Sequence, residues 1–204
     1  MEQFLTIALA HMFAVASPGP DFALVSRQSI KHGRKVAINT SIGIGFGILF
    51  HTMYCILGID VLVNNNSWLI RILTNFCSFY LLYLGLSSIL TKSKSLENIH
   101  LSQNLDSPSN KINGFFTGLM TNALNVKATL FFLAIFLHAN DASIYLKIVY
   151  GLWMSFITIL WFVFISIFLT NKKFSKVYNK YYSLINKMMG FILIYIAIKI
   201  YLNY

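Results

Sequence analysis

Six long apolar runs separated by short polar connectors leave this chain few ways to fold. They extend from Phe4 to about Ile30, Val36 to about Val63, Trp68 to Leu90, Phe115 to Leu137, Ile144 to Leu169 and Met188 to Tyr201. Runs of roughly 20 apolar residues match the length a helix needs to cross ~30 Å of hydrocarbon. None alternates strictly, so helices are favoured over the strands of a barrel. Only 11% of the 204 residues are charged, against about 25% in a soluble domain, too little polar surface to cover a soluble bundle. The expected fold is an all-α integral membrane protein with six transmembrane helices. It forms a single domain over residues 1–204, with a first half over about 1–90, a connector over about 91–113 and a second half over about 114–204.

The net charge of +10 would point a soluble protein toward nucleic acid. Here the basic residues fall in connectors, so they report topology and no nucleic-acid partner is expected. Arg27, Lys31, Arg34 and Lys35 follow the first segment. Lys92, Lys94 and Lys111 follow the third, and Lys172, Lys173, Lys176, Lys180 and Lys187 follow the fifth, making twelve of the 16 lysines and arginines. Arg71, Lys147 and Lys199 lie toward the other side, each near enough to a helix end to snorkel. Glu2, Asp60 and Asp141 also lie on that poorly basic side. The positive-inside rule then sets both termini outside the cytoplasm of a bacterial inner (plasma) membrane, in a multi-pass arrangement.

The outer connectors, Asn64–Ser67 and His138–Ser143, hold no extramembrane domain. Between the fifth and sixth runs, Lys173, Lys176, Lys180 and Lys187 share one helical face. Phe174, Tyr178, Tyr181 and Ile185 share another, which suits either a helix lying on the inner leaflet or a polybasic loop. The N-terminus begins Met1-Glu2-Gln3 and lacks the positive region of a signal peptide, so no cleavage is expected.

Two ionisable residues cannot be placed at a helix end. Asp21 follows Ser17-Pro18-Gly19-Pro20, and Lys127 follows Asn122 and Asn125 in the fourth run. A charge deep in the bilayer costs at least ~2.5–3.5 kcal/mol and normally faces a protein interior or a water-filled cavity. Pro18 and Gly19 discourage helix, whereas Pro20 suits a first helical position. The first segment is therefore expected to break, exposing a half-helix N-terminus where a substrate carboxylate can bind. Its 27 residues would make a straight helix of about 40 Å. Lys127 lies roughly 18 Å past Phe115, near the midplane, with Asp21 as its simplest partner. Ser17, Pro18, Gly19, Pro20, Asp21, Asn122, Asn125 and Lys127 form the candidate substrate or proton site. A polar interruption in the first segment of each half suggests two inverted three-helix repeats.

The second run contains Ser41, Gly43, Gly45 and Gly47, and the fourth begins with Gly114 and Gly118. Small residues four apart let helix backbones approach closely, so these six are read as helix-packing positions. His11 and His51 read as hydrogen-bonded structural histidines, with proton relay as the alternative. Cys55 and Cys77 make no CxxC and read as small buried hydrophobes. No HExxH, GxSxG or paired intramembrane aspartate is present. Neither an enzymatic activity nor a metal or other cofactor is expected.

The stretch "SPGPDFALVSRQSIKHGRK", a glycine-rich second helix and "GFFTGLMTNALNVKATLFFLAIF" together resemble the lysine-exporter superfamily, in particular its homoserine/threonine-resistance (RhtB-type) branch. The resemblance covers nearly the whole chain. It implies an inner-membrane exporter of small neutral amino acids or derivatives, driven by the proton gradient and homodimeric. The family's Asn-Pro-Lys is here Asn125-Val126-Lys127, and its later proline is absent around Leu137. Without those prolines a straighter fourth helix is expected, with Asn125 and Lys127 keeping the polar chemistry.

The leading function is therefore a secondary transporter that works as an amino-acid exporter. The alternative is a non-transporting membrane paralogue or partner protein that keeps the fold, which the missing prolines favour and the retained Asp21 and Lys127 oppose. A membrane thiol–disulfide enzyme would need a facing reactive cysteine pair, and a metal exporter would need more soft ligands.

Overall fold

A computed structural model describes residues 2–17, 19–63, 67–90 and 113–202, with the backbone alone over parts of 59–70 and 172–182. Among them the chain forms eight helices: α1 Glu2–Ala16, α2 Pro20–Lys31, α3 Gly33–Val63, α4 Ser67–Leu90, α5 Gly114–Ala123, α6 Val126–His138, α7 Ile144–Thr170 and α8 Lys172–Leu202. Helices α3, α4, α7 and α8 are each long and apolar enough to cross a membrane. The α1–α2 and α5–α6 pairs, bent by 50° and 58°, raise the number to six if each pair is one span.

Local chemistry explains the interruptions. Pro20 opens α2 at a position where its missing N–H costs nothing, and Gly19 before it is fully extended (φ −167°, ψ −170°). Gly33, at φ +80°, makes the turn from α2 into α3 in a region where side chains are disfavoured. The second bend corrects the expectation of a straighter fourth segment. Asn125 caps α6 by accepting the Lys127 N–H at 3.0 Å through its side chain, and so starts a new helix without a proline. A further correction concerns the fifth connector. Lys172 to Leu202 is one continuous helix rather than a surface helix followed by a separate span. The lysine face proposed there lies largely outside the described side chains, as do Pro18 and the connector over 91–112.

Close backbone approach builds the centre. A β-carbon at Gly43 would strike the Phe115 carbonyl, one at Gly118 the Thr40 carbonyl, and one at Gly114 would sit 2.6 Å from the Val36 carbonyl oxygen. Helices α3 and α5 therefore pack through glycine. On the other side of α3, Gly45 lies against Ile159, Ser155 donates to the Gly45 carbonyl at 2.7 Å, and Ser41 and Ser166 hydroxyls meet at 3.0 Å. Gly85 and Gly190 bring α4 and α8 together: a β-carbon added at either would lie 2.7 or 2.6 Å from the other's carbonyl oxygen. The outward faces carry exposed Phe76, Phe79, Phe156, Phe164 and Phe191, as expected of surface in contact with lipid.

Two apolar clusters fill the interior. One gathers Phe131, Phe132, Phe136 and Ile48; the other gathers Phe22, Ile44, Phe162 and Ile165. The polar site lies where they meet.

Candidate functional site

The two bends face one another across a small cavity. Its walls come from α1, α2, α3, the α5–α6 bend and α7. Of the residues expected at the site, Ser17, Gly19, Asp21, Asn122, Asn125 and Lys127 line it. Pro20 starts α2 beside it, and Pro18 lies outside the described residues.

Each charge is held by the opposite broken segment. Asn122 and Asn125 both donate side-chain amides to Asp21 Oδ2, at 2.9 and 3.0 Å. Lys127 Nζ donates to the Ser17 carbonyl oxygen at 2.9 Å. That carbonyl closes α1, where the break leaves acceptors unpaired and the helix dipole is negative, so a cation is favoured there. Asp21 sits in the first turn of α2, where a carboxylate is favoured for the converse reason. The expected direct pairing is thus replaced by a crossed one, in which carboxylate and ammonium share a cavity while each takes neutral partners. Lys127 lies over Gly19: a β-carbon there would be 3.3 Å from both its Cδ and Nζ.

The carboxylate is only half satisfied. Among the described residues, Asp21 Oδ1 is buried and has no hydrogen-bond partner, and the same is true of Asn122 Oδ1. Such acceptors are suited to an ammonium donor. Behind Asn122, His51 Nε2 lies 2.9 Å from its backbone carbonyl, and His51 Nδ1 lies 2.6 Å from the Tyr54 hydroxyl. Because a carbonyl can only accept, Nε2 carries the proton, and in the neutral ring Nδ1 accepts from Tyr54. His51 also stacks on Phe132 at 5.4 Å. It therefore pins the C-terminal end of α5, the segment that presents Asn122 to Asp21.

Three contributors escape a linear reading of the chain. The Ser17 carbonyl is backbone, and no residue type signals it. Thr158 is one hydroxyl among many in an apolar helix, yet it meets His11 across 147 positions, at 3.2 Å. His51 is a visible histidine, but its partner lies 71 residues away.

Comparison with known proteins agrees with these features. The family model of the LysE type translocator matches residues 12–203. The threonine efflux protein of Salmonella typhimurium is 29% identical over 136 residues, 67% of this chain and 66% of its own length. That of Escherichia coli is 28% identical over 139 residues, 65% of this chain and 64% of its own length. The chain thus spans just under two thirds of the threonine efflux proteins it matches. An uncharacterized membrane protein of Bacillus subtilis, YrhP, is 27% identical over 200 residues, 95% of each chain. No solved structure matches. With the family pattern running through both bends and every long helix, the chain belongs to the LysE type translocator family, whose members are transporters rather than enzymes.

Proposed function

We propose that the protein is a secondary transporter that exports a small neutral amino acid across the bacterial inner membrane, coupled to protons. The observation that carries this is the crossed pair in one cavity. Asp21, with an unpartnered oxygen, suits a substrate ammonium. Lys127, whose ammonium donates to a backbone carbonyl, suits the carboxylate, assisted by the N-termini of α2 and α6. Asp21 is also a group that can exchange a proton during the cycle. The activity named for the threonine efflux relatives favours an amino-acid substrate. The non-transporting alternative drew on the missing prolines, and the Asn125 cap removes that support.

In this reading six spans form two inverted repeats of three. Its support is that equivalent helices pack on one another, α3 on α7 at Ser41–Ser166 and α4 on α8 at Gly85–Gly190. Both termini lie outside the cytoplasm. Val36 meets Gly114, so the basic connector at 27–35 and the one ending before Gly114 share one end of the bundle. At the other end Gln3 reaches the His138 carbonyl and Lys199 reaches Thr6. The exposed apolar faces are in contact with lipid and, in a homodimer, with a second copy.

The test is efflux from preloaded proteoliposomes, with and without a proton gradient. Gradient-stimulated release of threonine is expected. Release of every amino acid tried at the rate of empty liposomes would end the proposal.

A further inference from the structure

The charged end of the cavity accounts for an amino acid's ammonium and carboxylate and leaves its side chain to be read elsewhere. His11 of α1 and Thr158 of α7 lie on the same cavity wall, 0% and 1% exposed. His11 Nε2 and Thr158 Oγ1 are 3.2 Å apart. His11 Nδ1 is buried and has no hydrogen-bond partner among the described residues. Around the ring stand Phe131 and Phe132, each with its centroid 6.2 Å from that of His11. A buried ring nitrogen left unpaired among aromatics is costly and calls for an explanation.

We infer that His11, oriented by Thr158, reads the side chain of the transported amino acid, and that the site selects a short, uncharged side chain bearing a hydrogen-bonding group over an isosteric alkyl one. This rests on the export function proposed above.

Thr158 either donates to Nε2 or accepts from it, and a neutral imidazole then offers the opposite role at Nδ1. A hydroxyl both donates and accepts, so it satisfies Nδ1 in either tautomer. A methyl in its place excludes water and leaves the nitrogen unpaired. Sites that hydrogen-bond a substrate hydroxyl reject the analogue lacking it far more strongly than apolar pockets reject an extra methylene. A cationic side chain meets no countercharge, because Asp21 is the one acid on the wall among the described residues and it faces the substrate's ammonium.

The experiment is exchange of radiolabelled threonine in proteoliposomes, competed by unlabelled threonine, its near-isostere valine, and lysine. For the wild type, valine and lysine are expected to compete at least about tenfold more weakly than threonine. His11→Leu should bring valine to within about twofold of threonine. Thr158→Val, which frees the ring without changing the cavity's volume much, should lower the ratio in the same direction. His11→Gln, which keeps a hydrogen-bonding group, should retain part of it. Equal competition by valine and threonine in the wild type overturns the inference. So does an undiminished ratio in His11→Leu or, if that variant fails to fold, in Thr158→Val. Absence of exchange for every amino acid is a different result, and it overturns the export function along with the inference.

Discussion

Asp21 and Lys127 hold the same place in two different broken segments: each is the second residue of the helix that follows the break. Gly19 precedes α2 and Asn125 precedes α6, both extended. Opposite charges thus occupy matching positions, and each is stabilised by the other segment. The Asn122 and Asn125 amides serve Asp21, and the Ser17 carbonyl serves Lys127. A zwitterion entering between them can take both charges without first breaking an ion pair.

Val126→Pro should be tolerated. Val126 is the first residue of α6, where proline's missing N–H is one the helix does not use, and Asn125 already has the extended backbone that a following proline requires. Thermal unfolding in detergent should shift by no more than about 1 kcal/mol in either direction, and export should persist. Loss of folded protein would show that the Asn125 cap and a proline cannot coexist at this bend.

Gly118→Val should be severely destabilising. A β-carbon at this position already collides with the Thr40 carbonyl of α3, and two further methyl groups would force α5 away. Overpacking of this kind costs roughly 1–3 kcal/mol or more, because backbone cannot move aside as a side chain can. Gly58→Ala, where nothing lies within 4 Å of the added carbon, is the control and should not lower the midpoint. Equal midpoints for the two variants would contradict glycine-mediated packing of α3 on α5.

His51→Phe tests whether the bend is held from behind. The ring can still stack on Phe132, but the bond to the Asn122 carbonyl and the one from Tyr54 are lost. Each lost bond weakens the fold by about 0.5–1.5 kcal/mol. Export should fall further than that implies, since Asn122 positions Asp21. Tyr54→Phe should do less, because it leaves the bond from His51 to the Asn122 carbonyl in place. A Tyr54→Phe defect as large as that of His51→Phe would contradict this order.

The first break was legible because its causes are local: Pro18, Gly19 and Pro20 act on their own backbone. The second was not. Asn125 is a helix terminator only when its side chain turns back to the Lys127 N–H, and the sequence alone allows it equally to continue the helix. Long apolar runs announced α3, α4 and α7 within a few residues. The continuity of α8 was hidden, because the polar stretch before Met188 carries no helix-breaking residue and hydropathy marks only the part suited to the membrane. Asp21 and Lys127 stood out as isolated charges in apolar runs. Their crossed partners did not, because which neutral group a buried charge takes depends on how distant helices dock.

The proposed topology has a direct test. Twelve of the 16 basic residues lie in three connectors, which the rule governing short loops predicts to be cytoplasmic. Alkaline phosphatase fused after Tyr204 should be active, and the same reporter within the 91–113 connector should be inactive. The reverse pattern would invert the assignment and make the proposed direction of export untenable.

Asp21→Asn addresses the coupling itself. Asparagine keeps the size of the side chain and an oxygen that accepts from the Asn122 and Asn125 amides, so the bend retains its geometry. It removes both the negative charge and the ability to gain and lose a proton. Expression and membrane insertion should therefore be unaffected, while export driven by a proton gradient should fall to the level of empty liposomes. Glutamate in the same place keeps the charge but adds a methylene against the Asn122 and Asn125 amides, and it should retain partial activity with an unchanged response to the gradient. Two results would count against a working carboxylate. One is export by Asp21→Asn at the wild-type rate with the same dependence on pH. The other is equal loss of export in both variants accompanied by loss of folded protein, which would leave Asp21 as a structural group that fastens the two breaks together.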